Sequence, residues 1–526
     1  MANTVLLILT NSSKVGKLLP VIQRHVSKTL YIQYFPDKHL PSGSYSSLLQ
    51  WKLLPNHYQK IANIYALATT FLSKIDVRVL ISSTKKSSLI STVRPIELVI
   101  FDRNYSKEDA KMFIKNCIKN SAEPCNFIAI NDPQDADECS AEILDDDVSN
   151  NENKIYNNTV LGGTFDRLHN GHKILLSKAI LKCSNKLTVG VTDSSMISRK
   201  ILWELIEPCE KRMNALREFL NDVNPNLIYD IVPINDIYGP TKDDPSFEMI
   251  VVSEETQRGA AKINELRLQK GLNQLDVEVV KLVEDSHHSN NNEESKISSS
   301  NYRIRLLGTR LKEPNITGKS LKPYIIGLTG SIASGKSSVA EKLNSLGAEI
   351  VHCDKLAHDL YNPGQQCFNQ VVENFGQQIL TSSGQIDRKA LANIVFSNKE
   401  ELDKLNRIMW PAILDVAMSK IKELQAQGAK IIVMEAAVLI QAKWQYVCHE
   451  IWTCIIPHEE VYHLKRVMER NNLSKEEAEM RIKVQPSNVE QVNEATVVLS
   501  TLWSHDVTLS QVQKAWELLN QFLSKQ

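Results

Sequence analysis

Short apolar runs alternate along almost the whole chain with longer stretches whose apolar residues recur every three or four positions. The first kind reads as buried strands and the second as amphipathic helices. Before residue 131 the strand runs are Val5–Leu9, Leu30–Tyr34, Val77–Ile81 and Glu97–Phe101. A basic helix with Val15, Leu18, Leu19, Ile22 and Val26 on one face follows the first of them. From Asn157 to about Gly308 the strands are a run ending at Thr159–Leu161, then Lys186–Thr192, Leu227–Pro233 and Met249–Val252, with a helix over Cys209–Leu220. From residue 322 to the C-terminus the rhythm resumes, with strands at Tyr324–Leu328, Glu349–His352, Lys430–Met434 and Glu450–Cys454. Met468–Met480, dense in Glu, Arg and Lys, reads as a mobile charged helical hairpin. Alternating strands and helices predict α/β units with parallel sheets, and such sheets bind ligands at the C-terminal ends of their strands. No internal repeat is visible.

Two polar stretches break the rhythm. Residues 132–152 hold nine acidic residues and no Lys or Arg, a composition that cannot pack and reads as a flexible linker. Glu284–Glu294 reads as a loop, and its His287 and His288 have no cysteine partner with which to hold a metal. The chain therefore divides into an α/β extension over 1–131 without a chemical motif, a linker over 132–154, and domains over 155–310 and 322–526. A flexible linker predicts that the first unit can be removed with the rest left active.

The charge balance is even: 61 Lys and Arg against 61 Asp and Glu give a net charge of zero. Nothing in that balance argues for nucleic acid or an anionic membrane as a bulk partner. Nine scattered cysteines without a C-x-x-C fit a reducing compartment and no zinc site, and predict a cytoplasmic protein. Cys353 reads as a small buried hydrophobe. No apolar run is long enough to span a bilayer. Residues 1–36 contain no Asp or Glu but do contain Lys14, Lys17, Arg24 and Lys28, which also suits a mitochondrial presequence. The strand-and-helix reading of the same residues is favoured, because presequences are richer in Arg.

Two motifs carry chemistry. Gly330 to Ser337 is a G-x-x-x-x-G-K-S run between a strand and a helix. In that context Gly330, Ser331, Ser334, Gly335 and Ser338 line a loop of backbone N–H groups for ATP phosphates. Lys336 reaches the outer phosphates, and Ser337 is the candidate ligand for Mg²⁺. Earlier, Gly162-Gly163-Thr164-Phe165-Asp166 leads from a strand into His169-Asn170-Gly171-His172 and a helix. Two imidazoles at a helix mouth can hydrogen-bond charge that builds on a phosphate in transfer. The run Ser298-Ser299-Ser300-Asn301-Tyr302-Arg303 offers hydroxyls, N–H groups and a guanidinium for a leaving pyrophosphate. Asp354, at the end of a strand after the phosphate-loop helix, is placed to take a proton from an acceptor hydroxyl. Arg466 and Arg470, four residues apart, face one side of a helix and could close over phosphates.

H-x-G-H followed by I-S-S-S-x-x-R resembles the nucleotidyltransferase family, with Ser300 where Thr is usual. Val252–Gly259 and Asp236–Pro240 are similar to the eukaryotic phosphopantetheine adenylyltransferases. The downstream half resembles the dephospho-coenzyme A kinases through its phosphate loop, Val351–His358, Ile386–Lys389, Glu435–Leu439 and Arg466–Arg470. Glu435 stands where that family usually has Asp. The order of the two halves, covering about residues 157–526, resembles the bifunctional coenzyme A synthase family. The resemblance implies a Rossmann-like nucleotidyltransferase domain followed by a P-loop kinase domain, both with parallel sheets, behind an N-terminal α/β extension. It implies the substrates ATP, 4'-phosphopantetheine and dephospho-coenzyme A, with Mg²⁺. It implies that Gly162, Thr164, His169 and His172 act at the α-phosphate, that Lys200 holds the attacking phosphate, and that Arg258 contacts ATP. Arg388 is the candidate for the acceptor nucleotide. Two other readings stay open: a different nucleotidyltransferase–small-molecule kinase fusion, and a weakened scaffold that binds partners through its first unit.

Overall fold

The computed structural model describes residues 1–35, 40, 57–81, 89–130, 154–288, 291–456, 460–471 and 474–526. The acidic stretch at 132–152 lies outside them. They form two compact bodies, Met1–Ser198 with Ile206–Asn301, and Arg199–Leu205 with Tyr302–Gln526. No described helix is long and apolar enough to cross a membrane.

The first body holds two five-stranded parallel sheets. One is built from β1 (Ala2–Leu9), β2 (Val26–Tyr34), β3 (Asp76–Val79), β4 (Ile96–Phe101) and β5 (Ser121–Ala129), in the order β3-β2-β1-β4-β5. The other is built from β6 (Tyr156–Gly163), β7 (Cys183–Thr192), β8 (Ile228–Ile234), β9 (Met249–Ser253) and β10 (Asp276–Val280), in the order β10-β9-β6-β7-β8. Apolar runs buried on both faces are what a parallel sheet covered by helices demands. The basic segment at the N-terminus is the central strand β1 and a helix, Val15–Ile22, whose Val15, Leu18, Leu19 and Ile22 are buried.

The expectation of a separable first unit meets a different arrangement. Leu30, Ile32, Ile61, Tyr65 and Val79 of the first sheet and its helix share one apolar cluster with Ile174, Ala179, Val189, Phe219 and Val223 of the second. The backbone also bridges them, since Ile81 N donates to Val223 O at 2.8 Å. Removing residues 1–131 uncovers this face, at roughly 1.5–3 kcal/mol for each large apolar side chain exposed. A linker's composition reports on the linker alone, and both flanking units read as complete because each has its own sheet.

The second body holds β11 (Tyr324–Gly330), β12 (Glu349–His352), β13 (Ile431–Glu435), β14 (Glu450–Ile455) and β15 (Val497–Ser500), in the order β12-β13-β11-β14-β15 and all parallel. The sequence Tyr-Ile-Ile-Gly-Leu-Thr-Gly of β11 is buried throughout, as the central strand must be. The charged hairpin expected near Met468–Met480 is a pair of helices, Glu460–Asn471 and Lys475–Lys483.

Candidate active sites

The first site sits at the C-terminal end of β6. From there the chain enters a strained turn, in which Phe165 and Arg167 take φ of 51° and 47°. Left-handed backbone at residues other than glycine costs about 1–3 kcal/mol each and persists where the surroundings enforce it. Here they do: Asp166 is fully buried, pairs with Arg167 and accepts from Glu207 N at 3.0 Å. Buried Arg212 donates to Thr164 O at 2.6 Å, Thr192 O at 2.9 Å and Glu207 O at 2.8 Å.

The turn delivers His169 to the N-cap of helix Asn170–Lys182. His172 N donates to His169 Nδ1 at 3.4 Å, and His169 N donates to His172 Nδ1 at 3.5 Å. The two rings stack with centroids 3.7 Å apart. With each Nδ1 accepting from backbone, each neutral ring carries its proton on Nε2, the side that can donate to a ligand. Gly171 makes room for this, because a Cβ there would press within 3.2 Å of the His169 ring. Ser299 closes the group, with its hydroxyl donating to Asp166 O at 3.0 Å and lying 3.3 Å from His169 Nε2. Thr192 Oγ1 donates to Thr164 Oγ1 at 3.2 Å. Gly162, Thr164, His169, His172 and Ser299 therefore lie at one strand end.

The second site is the loop between β11 and helix Lys336–Ser345. Gly330 has φ of 148°, and a Cβ there would stand 2.4 Å from Cys454 O and 2.5 Å from Ser334 Oγ. Buried Lys336 folds its ammonium onto Gly330 O at 2.9 Å and Ser331 O at 3.0 Å. Ser337 Oγ donates to Glu435 Oε1 at 3.0 Å, and His352 Nδ1 meets the other oxygen of that carboxylate. Asp354 begins helix Cys353–Asp359 beside them. Its residue is exposed overall, but partial desolvation of the carboxyl pushes it above the usual range. Lys336 pulls that carboxyl the other way, and Glu435 adds to the rise. Arg466 donates to Thr501 Oγ1 at 3.3 Å and Thr501 O at 3.2 Å, and Thr501 in turn donates to Ser334 O at 2.9 Å. The arginine is thereby tied to the phosphate loop.

Residues 324–503 match the family profile described as dephospho-CoA kinase. A dephospho-CoA kinase of Carboxydothermus hydrogenoformans is 44% identical over 188 residues, 36% of this chain and 90% of that protein. The chain belongs to the dephospho-CoA kinase family. One from Moorella thermoacetica is 36% identical over 38% of this chain and 94% of its own length. The solved dephospho-CoA kinase of Campylobacter jejuni is 26% identical over 38% of this chain and 98% of its own, with a TM-score of 0.27. Ahead of the kinase domain, residues 160–305 match a profile described as cytidylyltransferase-like. The two expected parallel-sheet domains are thus present in the expected order.

Within the kinase domain the oxygens of Ser337 and Glu435 converge, a hard donor pair of the kind Mg²⁺ accepts together with phosphates and water. Glu435, one methylene longer than the family's Asp, still reaches Ser337. Among the described residues no three His, Cys, Asp or Glu side chains cluster as a complete metal cage. Burial pushes the Cys353 thiol up, so it behaves as a buried hydrophobe. An open cleft of about 630 Å³, lined by Arg407, Trp410, Leu414, Trp444 and Tyr446 among others, lies in the same domain.

Other expected residues are placed less directly. Ser298 Oγ caps the serine helix by accepting from Asn301 N at 3.2 Å, and Ser300 is half-buried in that helix. Arg303 is buried, and its Nε donates to Ile201 O at 2.9 Å. Lys200 is exposed, in the segment Arg199–Leu205 that packs with the second body. Arg258 is exposed in the first turn of helix Gln257–Gln269. Arg388 is exposed at the start of helix Arg388–Ser397, and Ser338 accepts from Lys342 at 2.9 Å. The side chain of Arg470 lies outside the described residues. Arg212 and Asp166 were not anticipated as site residues. Arg212 sits in a helix beside Glu210 and Lys211, where nothing separates a buried arginine from a solvated one.

Proposed function

We propose that this chain catalyses two consecutive reactions. The cytidylyltransferase-like domain transfers adenylyl from ATP to 4'-phosphopantetheine, releasing pyrophosphate and dephospho-coenzyme A. The kinase domain then phosphorylates the ribose 3'-hydroxyl of that product with a second ATP. The observation that carries the reading is the pairing itself: an H-x-G-H site precedes, in one chain, a kinase domain whose family is named for the product of such a transfer.

In the first step the attacking phosphate is already anionic, so positioning and charge stabilisation suffice. His169 and His172 donate from Nε2 to the α-phosphate, with Thr164 beside them. Ser298, Ser299, Ser300 and Arg303 hold the pyrophosphate, Lys200 the attacking phosphate, and Gly162 and Arg258 the nucleotide. In the second step Asp354 takes the proton of the 3'-hydroxyl as its oxygen bonds to the γ-phosphorus and the bond to the β-phosphate oxygen breaks. Lys336 exchanges its loop carbonyls for phosphate oxygens, and Arg466 and Arg470 close over them. Arg388 binds the acceptor. Ser337, with Glu435 alongside, would hold Mg²⁺, which would supply positive charge against the phosphates when bound. A cytidylyl donor is the second reading of the first step, favoured by the description of the matching profile.

The test is incubation with 4'-phosphopantetheine, ATP or CTP, and Mg²⁺, with products resolved by mass. ATP should yield coenzyme A. His172→Ala should yield almost no dephospho-coenzyme A, since losing one preorganised donor costs ~10²–10³ in rate. Lys336→Ala should accumulate dephospho-coenzyme A. No adenylylated product with ATP overturns the reading.

A further inference from the structure

Residues 1–130 carry no nucleotide motif, yet they grip the helix on which the H-x-G-H site is built. Two side chains in the first turn of helix Asn170–Lys182 reach the first sheet and its helix. Asn170 Nδ2 donates to Tyr65 O at 3.2 Å and to Thr69 Oγ1 at 2.9 Å, both on helix His57–Phe71. Lys173 Nζ donates to Val77 O at 2.8 Å and pairs with Asp76 Oδ1 at 2.6 Å, at the start of β3. Lys173 is 3% exposed. Asp76 is shared with Arg78 at 2.7 Å, and Arg78 continues to Glu218 at 3.0 Å and to Asp222 on helix Cys209–Val223. Thr69 O also meets the ring of His287 at 2.9 Å, on the segment that leads to the serine motif.

An interior lysine gains little stability over a well-packed apolar side chain, because desolvating the charge offsets its pairing. What such a pair supplies best is register. A slide of helix Asn170–Lys182 by one residue moves it ~1.5 Å and turns it ~100°, which breaks every one of these bonds. His172 lies between the two anchored residues, and His169 caps the same turn.

We propose that the N-terminal sheet is a positioning element of the transferase site: through Tyr65, Thr69, Asp76 and Val77 it fixes Asn170 and Lys173, and with them both imidazoles. This rests on the reading of H-x-G-H as the transferase site. Asn170 and Lys173 are positioning residues and touch no substrate.

The test uses the full chain with Asn170→Ala, Lys173→Met and the pair Lys173→Met with Asp76→Asn. The pair leaves no lysine or aspartate unmatched, since Arg78 keeps Glu218 and Asp222. Three properties are read: first-step kcat and KM, second-step rate on supplied dephospho-coenzyme A, and imidazole NMR resonances of histidine-labelled protein. The expected result is a first-step kcat lowered about tenfold or more, as small misplacements of reacting groups produce. KM for ATP should stay within about twofold, the second step should hold, and the His169 and His172 resonances should shift. If Lys173→Met fails to fold, the paired variant and Asn170→Ala, which removes no charge, carry the test. Folded variants with parental kcat and unshifted resonances overturn the proposal, as does a rate loss that only tracks the unfolded fraction. A parent chain without adenylyl transfer refutes the functional reading instead, and the resonances still decide whether the sheet orients the imidazoles.

Discussion

Replacing Arg212 by methionine removes three hydrogen bonds from the transferase loop and leaves the side chain's apolar stem. The guanidinium is 1% exposed, and its donors end on Glu207 O, Thr164 O and Thr192 O at 2.8, 2.6 and 2.9 Å. A hydrogen bond from a charged donor contributes about 1.5–3 kcal/mol. Three would sum to roughly 5–9 kcal/mol, but the variant also sheds the cost of burying a cation, so a net loss of about 2–4 kcal/mol is expected. Each kcal/mol lowers the melting temperature by ~2–4 °C in a body of this size, which gives a drop of about 5–15 °C. Thr164 lies between β6 and the histidines, so the freed loop should also cost ~10² in adenylyl transfer. The assay is a thermal melt beside single-turnover formation of dephospho-coenzyme A, with second-step turnover as the internal control. Arg212→Lys should fall between, because one ammonium cannot span three carbonyls. A variant that melts within about 2 °C of the parent and transfers within about twofold of its rate refutes the view that Arg212 holds this loop.

Three further outcomes are expected. The acid limb of the second-step rate should have a midpoint above the ordinary aspartate value of 3.8, because Asp354 works as a base only when ionised and its carboxyl is pushed up. The folded state then binds that proton more tightly than the unfolded chain, so its stabilising contribution is lost as pH rises through the raised value. Asp354→Asn should therefore abolish phosphorylation yet melt higher than the parent at neutral pH, and a lower melting temperature contradicts the assignment. Gly330→Ala places a methyl 2.4 Å from the carbonyl of Cys454 on β14, so the second step should fall by at least ~10² while adenylyl transfer persists. A chain beginning at Lys154 should be poorly soluble or melt well below the parent, by uncovering the cluster around Ile174, Phe219 and Val223; a soluble fragment with parental first-step kinetics contradicts the shared core.

The strands that carry the sites were legible because each has a short apolar core, such as Val160-Leu161 in β6 or Ile350-Val351 in β12, set against a glycine loop or a helix. The strand expected at Glu349–His352 is β12 to the residue, and Met249–Val252 falls one residue short of β9. The glycine loop and the histidine motif were legible because their geometry is local, set by a few consecutive backbone conformations. What stayed hidden depends on contacts far apart in sequence. The strands β5, β10 and β15 escaped notice: β5 contains Pro124 with polar Ser121, Glu123 and Asn126, β10 lies at a sheet edge with exposed Asp276, and β15 is only four residues long. Buried Arg212 and Lys173 look in the sequence like any solvated cations, because only the partners, 48 and 97 residues away, distinguish them.

The two sheets of the first body share one strand order: counted from each sheet's own first strand, it runs third, second, first, fourth, fifth. No repeat is visible in the sequence because strand order is kept by burial pattern, which many apolar residues satisfy. The chemistry is not shared. At the end of β6 the chain opens into glycine, threonine and two imidazoles. At the end of β1 it runs Thr10-Asn11-Ser12-Ser13-Lys14, and a carboxyl group fills the space. Asp102, 1% exposed and directly after β4, accepts from Thr10 N at 2.7 Å, Asn11 N at 3.3 Å and Thr10 Oγ1 at 2.9 Å. These amides stand where a phosphate-binding loop presents its donors, so an incoming anion must first displace an internal acceptor. This sheet has two of its strand-end amides already taken by that carboxylate. It keeps a rigid edge strand and a covering helix, and those are the elements that hold Asn170 and Lys173. One fold thus serves twice in the same body, once with its strand end open for chemistry and once with that end sealed and its flank used as a clamp.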